Sequence, residues 1–168
     1  MVNIRLTVER NFTMDRLVKN EMKIEFLSKS ANEAFARIAV AAFATQLDPT
    51  IEEIADIKTS VSEAVTNSII HAYPNSEGIV RVRAKLYEDE IEIEVSDNGE
   101  GIENIEEAKE PLYTTRGNLE RSGMGFTIME SFMDSLKVES IVGLGTKITM
   151  GKKIKKEKEF SVNTYEIK

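Results

Sequence analysis

The sequence predicts an α+β domain: a two-layer α/β sandwich whose mostly antiparallel sheet is covered on one face by helices. Three observations carry that expectation. Val80, Val82, Ala84 and Leu86 alternate with Arg81, Arg83 and Lys85, and Ile91, Ile93 and Val95 alternate with Glu90, Glu92 and Glu94. Two neighbouring strands with one apolar and one charged face imply an antiparallel sheet packed on one side only. Two capping-box patterns, Ser30-Ala-Asn-Glu33 and Thr50-Ile-Glu-Glu53, each open a helix. A chain of 168 residues, 41% hydrophobic and 30% charged, suits one domain with a buried core.

Taken in order, Val2, Ile4, Leu6 and Val8 alternate with polar residues and read either as a strand or as an extension outside the fold. Residues 22–27, Met-Lys-Ile-Glu-Phe-Leu, are expected as the first core strand. A helix from Ser30 runs to about Leu47, where Asp48-Pro49 breaks it, and a second runs from Thr50 through His71, ended by Tyr73-Pro74-Asn75. At about 100° per residue, Ile54, Ile57, Val61, Val65 and Ile69 fall on one side of this second helix. Glu52, Asp56, Ser60, Glu63 and Asn67 fall on the other, which is expected to face away from the core. The hairpin pairs with Lys85 opposite Glu92, Arg83 opposite Glu94 and Leu86 opposite Ile91, so both faces agree on one register. Glu88-Asp89 is poor chemistry for a two-residue turn, so a longer loop is expected there. A short helix over 104–109, a long loop over 110–123 and a helix over 124–135 follow. Strands are expected over 136–142 and 146–151, joined by a turn at Gly143-Leu-Gly145. The Lys- and Glu-rich tail, domain boundary at 152, is expected to lie frayed or helical at the surface.

Composition narrows the function. No apolar run approaches the roughly 18–20 residues of a membrane span, and the first residues mix charge with apolar side chains unlike a secretory signal. With Cys 0, disulfide and thiolate chemistry are excluded and a cytoplasmic location is expected. A net charge of -7 disfavours nonspecific binding to nucleic acid. The single histidine, His71, bounds all histidine chemistry.

The candidate site comes from three short boxes. Glu63, Asn67 and His71 are four residues apart and drift only about 40° per step, so they share one helical stripe. Glu63 there is a solvated glutamate or a general base for a hydroxyl or water attacking a phosphate. Asn67, a poor helix former in a helix interior, bonds nearby backbone or completes a magnesium shell shared with phosphate oxygens. His71 shapes the rim or meets the helix dipole. Asp97-Asn-Gly99-Glu-Gly101 follows a strand; it is a plain turn, or a carboxylate that accepts from an exocyclic amine beside glycines that admit a flat base. Ser122-Gly123-Met124-Gly125 opens a helix, and glycines there let backbone N–H groups converge on an anion, although Gly-x-Gly alone is weak evidence; Arg121 is a surface arginine or a phosphate clamp. Thr146 is a strand threonine or a second contact to adenine. Gly-x4-Gly-Lys-Ser/Thr, Cys/His zinc spacing and a Ser/His/Asp arrangement are absent from the sequence.

In that order, Glu-x3-Asn-x3-His, Asp-x-Gly-x-Gly and Gly-x-Gly resemble the GHKL ATPase superfamily, which has the Bergerat fold. Residues 39–50, 62–73 and 119–134 are similar to one branch, the sporulation anti-sigma factor kinases, over roughly 20–152. The resemblance implies ATP/ADP and Mg2+ as cofactors, Glu63 as catalytic base, Asn67 as magnesium ligand and Asp97 as reader of the adenine amine. It places Gly101 by the base and Thr146 on its far edge, and makes 112–123 an ATP lid with Arg121, Gly123 and Gly125 at the phosphates. His71, Gly99, Thr114, Thr115, Ser122, Met124 and Phe126 complete the implied ATP-binding set. It further implies a homodimer that holds a sporulation sigma factor and phosphorylates a serine of an anti-anti-sigma protein, with Arg37 at the partner contact and no direct nucleic acid or membrane contact. Residues 1–20 have no counterpart in the resemblance, which leaves Met14 and Met22 as alternative starts. A histidine kinase also needs a phosphoacceptor histidine elsewhere, and the one histidine lies inside the first box. An ATP-gated sigma-binding module without phosphotransfer and a stress-type anti-sigma kinase remain as alternatives.

Overall fold

The computed structural model describes residues 16–110 and 124–155. Among these, five strands form one antiparallel sheet in the order β1-β2-β3-β5-β4. They are β1 Asn20–Leu27, β2 Ile79–Leu86, β3 Glu90–Asp97, β4 Ser135–Ile141 and β5 Gly145–Lys153. The predicted hairpin register holds at Lys85–Glu92, Arg83–Glu94 and Leu86–Ile91. Strand parity then sorts the side chains. Val80, Val82, Ala84, Ile91, Ile93 and Val95 are buried in the core, while the opposite face carries the ion pairs Arg81–Glu25, Arg83–Glu21 and Lys85–Glu92. The connection at Glu88-Asp89 is short after all, closed by Tyr87 N–H donating to Glu90 O at 2.9 Å. Pairing of β2 to β1 and β3 to β5 holds both strands in register, which overrides the poor turn chemistry.

Helices α1 Ala31–Ala44, α2 Ile51–Asn67 and α4 Gly125–Phe132 contribute Ala36, Val40, Ile57, Val61, Val65 and Met129 to that core; α3 Ile105–Lys109 is a short helix packed on α4. The Thr50 capping box forms in full: Glu53 N–H donates to Thr50 Oγ1 at 3.1 Å and Thr50 N–H to Glu53 Oε2 at 2.8 Å. The Ser30 box does not form. Ser30 takes helical angles (φ -55, ψ -32), which do not aim its hydroxyl at the first turn, and Glu33 accepts instead from Ser62 Oγ at 2.5 Å. α1 ends in a 3-10 turn, Thr45–Leu47, stopped by Asp48 at φ 55.

α2 is the central helix, with α1 against one flank and α4 against the other. The polar side faces away from the core as expected at Glu52, which is exposed, and at Asp56, Glu63 and Asn67, which are half-buried and outside the core, but not at Ser60, which is fully buried. The helix widens into a π turn at Ser68–Ala72 rather than running regularly through His71. The last strand outlasts its predicted end. β5 runs to Lys153, Ile154 enters the core, and Lys152 Nζ donates to Asp56 Oδ2 at 2.8 Å and to Phe132 O at 2.7 Å. Lys155 N–H donates to Glu53 Oε1 at 3.0 Å, so one carboxylate holds both the start of α2 and the end of the sheet. Burial pushes the Glu53 carboxyl up, but the Lys155 and Thr50 N–H groups outweigh it and hold the group below the usual glutamate range. At the other end, Lys19 N–H donates to Leu86 O at 2.8 Å, and Arg16 pairs with Glu90 with its guanidinium 4.2 Å from the Tyr87 ring centroid. The alternating segment from Val2 to Val8, most of the expected loop and residues 156–168 lie outside the described residues.

Candidate functional site

Glu63 and Asn67 sit one turn apart on α2, and the first residue of α4 lies directly over them. A Cβ built on Gly125 would lie 3.1 Å from Glu63 Oε2, 3.3 Å from Asn67 Nδ2 and 3.5 Å from Asn67 Oδ1. Any larger residue at this position would press on the pair and require it to give by a few tenths of an ångström. Met124, the residue before α4, makes no side-chain cap bond to the first turn of α4. An acid, an amide and the positive end of a helix therefore converge on one space. Phe126, the next residue, is part of the core.

The second centre is Asp97, 6% exposed at the end of β3. Its Oδ1 accepts from Gly99 N–H at 3.1 Å and from Thr146 N–H at 3.2 Å, and its Oδ2 accepts from Ser68 Oγ at 2.8 Å. A carboxylate offers about four acceptor positions, so one remains after these three bonds. The three donors come from β5, the π turn and the loop after β3, so side-chain direction is fixed from three sides. Gly99 lies so close to the π turn that a Cβ would fall 2.2 Å from Ala72 O. Glu100 N–H donates to that same carbonyl at 3.0 Å. Gly101, at φ 75, packs against Ile141 O in the β4–β5 hairpin.

The structure thus brings together Glu63, Asn67 and Gly125 in one group and Asp97, Gly99 and Thr146 in another. His71 is exposed in the π turn, and Met124 is partly exposed before α4. Arg37 lies on α1, its Nε 3.6 Å from Glu33, whose other contact is Ser62, the neighbour of Glu63. Thr114, Thr115, Arg121, Ser122 and Gly123 lie outside the described residues. Sequence reasoning missed three residues. Ser68 is buried on Asp97, and nothing in the sequence announces the π turn that turns it there. Tyr73 was read only as a helix stop; its hydroxyl donates to Ile79 O at 2.9 Å and accepts from Asn98 N–H at 2.9 Å, bracing the loop after Asp97. Ser140 touches Thr146, and strand parity with Leu136 and Val138 was the signal that could have found it. An open groove of about 420 Å³, lined by Tyr73, Glu77, Asn98 and Glu100 among others, adjoins the Asp97 loop but is not lined by Glu63 or Asn67.

The pattern of the histidine kinase-like ATPase domain matches residues 26–152. An anti-sigma F factor from Clostridium beijerinckii is 65% identical over 135 residues, which span 80% of this chain and 94% of that protein. One from Clostridium acetobutylicum is 62% identical over 137 residues, 82% of this chain and 96% of that protein. Among solved structures, the RsbU and RsbW domains of Rv1364c from Mycobacterium tuberculosis superpose with a TM-score of 0.59 at 18% identity, over 80% of this chain and 32% of that one. That likeness speaks to the fold.

Proposed function

The chain belongs to the histidine kinase-like ATPase domain family and stands with its anti-sigma F factors; from this premise we propose that it is an ATP-dependent serine protein kinase that sequesters a sigma factor, sigma F, in the cytoplasm and phosphorylates a serine of an anti-anti-sigma protein. The observation that carries the reading is the close stacking of Gly125 on Glu63 and Asn67. It sets the N-terminus of α4, an anion-binding end, against an acid and an amide that share one helical stripe.

The residues present fit a nucleotide. The remaining acceptor position of Asp97 suits the exocyclic amine of adenine. The glycine at the head of α4 leaves space where a Cβ would intrude, which suits phosphate oxygens. Bound ATP with magnesium would supply the phosphoryl group and the charge that neutralises its transfer. Within that frame, Asn67 would offer its amide oxygen to the metal, α4 N–H groups would hold phosphate oxygens, and Glu63 would take the proton from an attacking serine hydroxyl. Glu63 is half-buried beside the α4 N-terminus, which keeps it within reach of the site.

The partner surface in this reading is α1, where Phe35 and Ile38 are 54% and 60% exposed on either side of Arg37. Exposed apolar side chains flanking a cation suit both a homodimer contact and a sigma-factor contact. Incubation of the protein with labelled ATP, magnesium and an anti-anti-sigma protein tests the proposal. Phosphoserine on the partner is expected. ATP uptake with sigma-factor binding and no phosphoserine would instead describe an ATP-gated binding module.

A further inference from the structure

Helix α4 lies on α2 with its direction reversed. Its first residue, Gly125, sits over Glu63 and Asn67, in the second half of α2. Its last residue, Phe132, sits by Asp56, in the first half, because one ammonium reaches both: Lys152 Nζ donates to Phe132 O at 2.7 Å and to Asp56 Oδ2 at 2.8 Å. The spacing matches on the two helices. Glu63 is seven residues after Asp56, and Phe132 is seven residues after Gly125. At about 1.5 Å per residue each span is about 10 Å. Between these ends, Ser60 of α2 and Met129 of α4 are fully buried, and the Ser60 hydroxyl makes no hydrogen bond among the described residues.

Packing of that kind resists separation more than sliding. Apolar contact has little directional preference, whereas a charge-assisted hydrogen bond to each helix fixes a position. Lys152 is suited to supply it. Its backbone is held by the sheet, opposite Ile91 of β3 and next to Gly151, which pairs with Ser135 of β4. Its side chain is 14% exposed and that of Asp56 21%, so water competes weakly for the bridge. A cation at the last carbonyl also meets the negative end of α4. Two further bonds, Asp134 N–H to Gly151 O at 2.9 Å and Lys153 N–H to Asp134 Oδ2 at 2.7 Å, tie down the chain that follows the helix. They hold Asp134, beyond the extended Met133 (φ -106, ψ 147), and not the helix itself.

We propose that Lys152 is a positioning residue for phosphoryl transfer: by bridging Asp56 to the last carbonyl of α4 it sets how far α4 slides along α2, and so where the Gly125 end stands over Glu63 and Asn67. The inference rests on the reading of that end as the phosphate site. α4 is eight residues long and moves as a short rod, so a displacement at Phe132 reappears at Gly125. Lys152 stands one helix length from the phosphates and touches no reacting atom.

The test compares MgATP with adenosine by calorimetry. On the reading above both ligands use the Asp97 end, and only MgATP reaches the head of α4. Lys152→Met keeps the apolar stem and removes the cation. It is expected to lower the ratio of MgATP to adenosine affinity about 5- to 10-fold, the scale of one misplaced hydrogen bond, with adenosine affinity held. Asp56→Ala is expected to lower the ratio as well. The double variant should fall no further than Lys152→Met alone, because both residues act through one bridge. Loosening of the whole fold would weaken both ligands alike, so an unchanged ratio in Lys152→Met, or losses that add in the double variant, overturns the proposal. Should Lys152→Met not fold, Asp56→Ala carries the test, and a wild-type ratio there overturns the idea. Wild-type protein that binds MgATP no more tightly than adenosine would remove the head of α4 as the phosphate site, which is failure of the premise. A wild-type preference for MgATP that survives intact in Lys152→Met is failure of Lys152 alone.

Discussion

Gly125→Ala sets stability and function in opposite directions. Alanine is the better helix former, by up to about 1 kcal/mol in a helix interior and by less at a first position such as this one. The fold should therefore keep its melting temperature or gain a little. The added methyl, however, falls 3.1 Å from Glu63 Oε2 and 3.3 Å from Asn67 Nδ2. Comfortable carbon contacts lie at about 3.5–4.0 Å. Both side chains must retreat by a few tenths of an ångström, and the methyl stays in the space that the α4 N–H groups face. Misplacement of about 1 Å costs on the order of 100-fold in rate. A shift of part of that, together with the blocked approach, is expected to cost roughly 10- to 100-fold in phosphotransfer and at least about tenfold in MgATP affinity, or about 1.4 kcal/mol. Thermal unfolding, calorimetry with MgATP and transfer of labelled phosphate read the three quantities. A variant that binds and transfers like wild type would refute the stacking of α4 on the acid–amide pair as the phosphate site. So would a loss of binding that merely tracks a collapse in melting temperature.

Glu63→Gln keeps the size and one acceptor oxygen but removes the base, so phosphotransfer should fall about 10²–10⁴-fold while ATP affinity holds; full activity would exclude Glu63 from the chemistry. Glu53→Gln addresses stability. The folded-state carboxyl is held below its ordinary value of 4.5, so its contribution is present above that pH and fades as pH falls through the lower folded value. The variant should lose about 1–2 kcal/mol at pH 7 in denaturant unfolding, with the gap to wild type shrinking toward pH 3; an equal gap at both pH values would contradict the role given to the carboxylate.

The hairpin, its register and its charged outer face were legible because alternation and cross-strand charge are properties of neighbouring residues. The Thr50 capping box was legible for the same reason, and the Ser30 box shows the limit: the pattern is there, but packing of α1 on α2 hands Glu33 to Ser62. The expectation that the α2 polar side faces away from the core failed at Ser60, because a helical wheel knows one covering surface and α2 has three neighbours: the sheet, α1 and α4. The π turn was invisible, since nothing in Ser-Ile-Ile-His-Ala marks a widened helix.

Local pattern in the chain alone determined which residues are candidates for chemistry, namely Glu63, Asn67, Asp97 and the glycines, because side-chain type and spacing of four or two are written in one dimension. Tertiary structure alone decided which of them meet. Gly125 reaches Glu63 only through the docking of α4 on α2, and Asp97 finds Ser68 and Thr146 only where a π turn and two strand ends come together. Those contacts join residues far apart in the chain, and their geometry is set by packing that no short stretch of sequence contains.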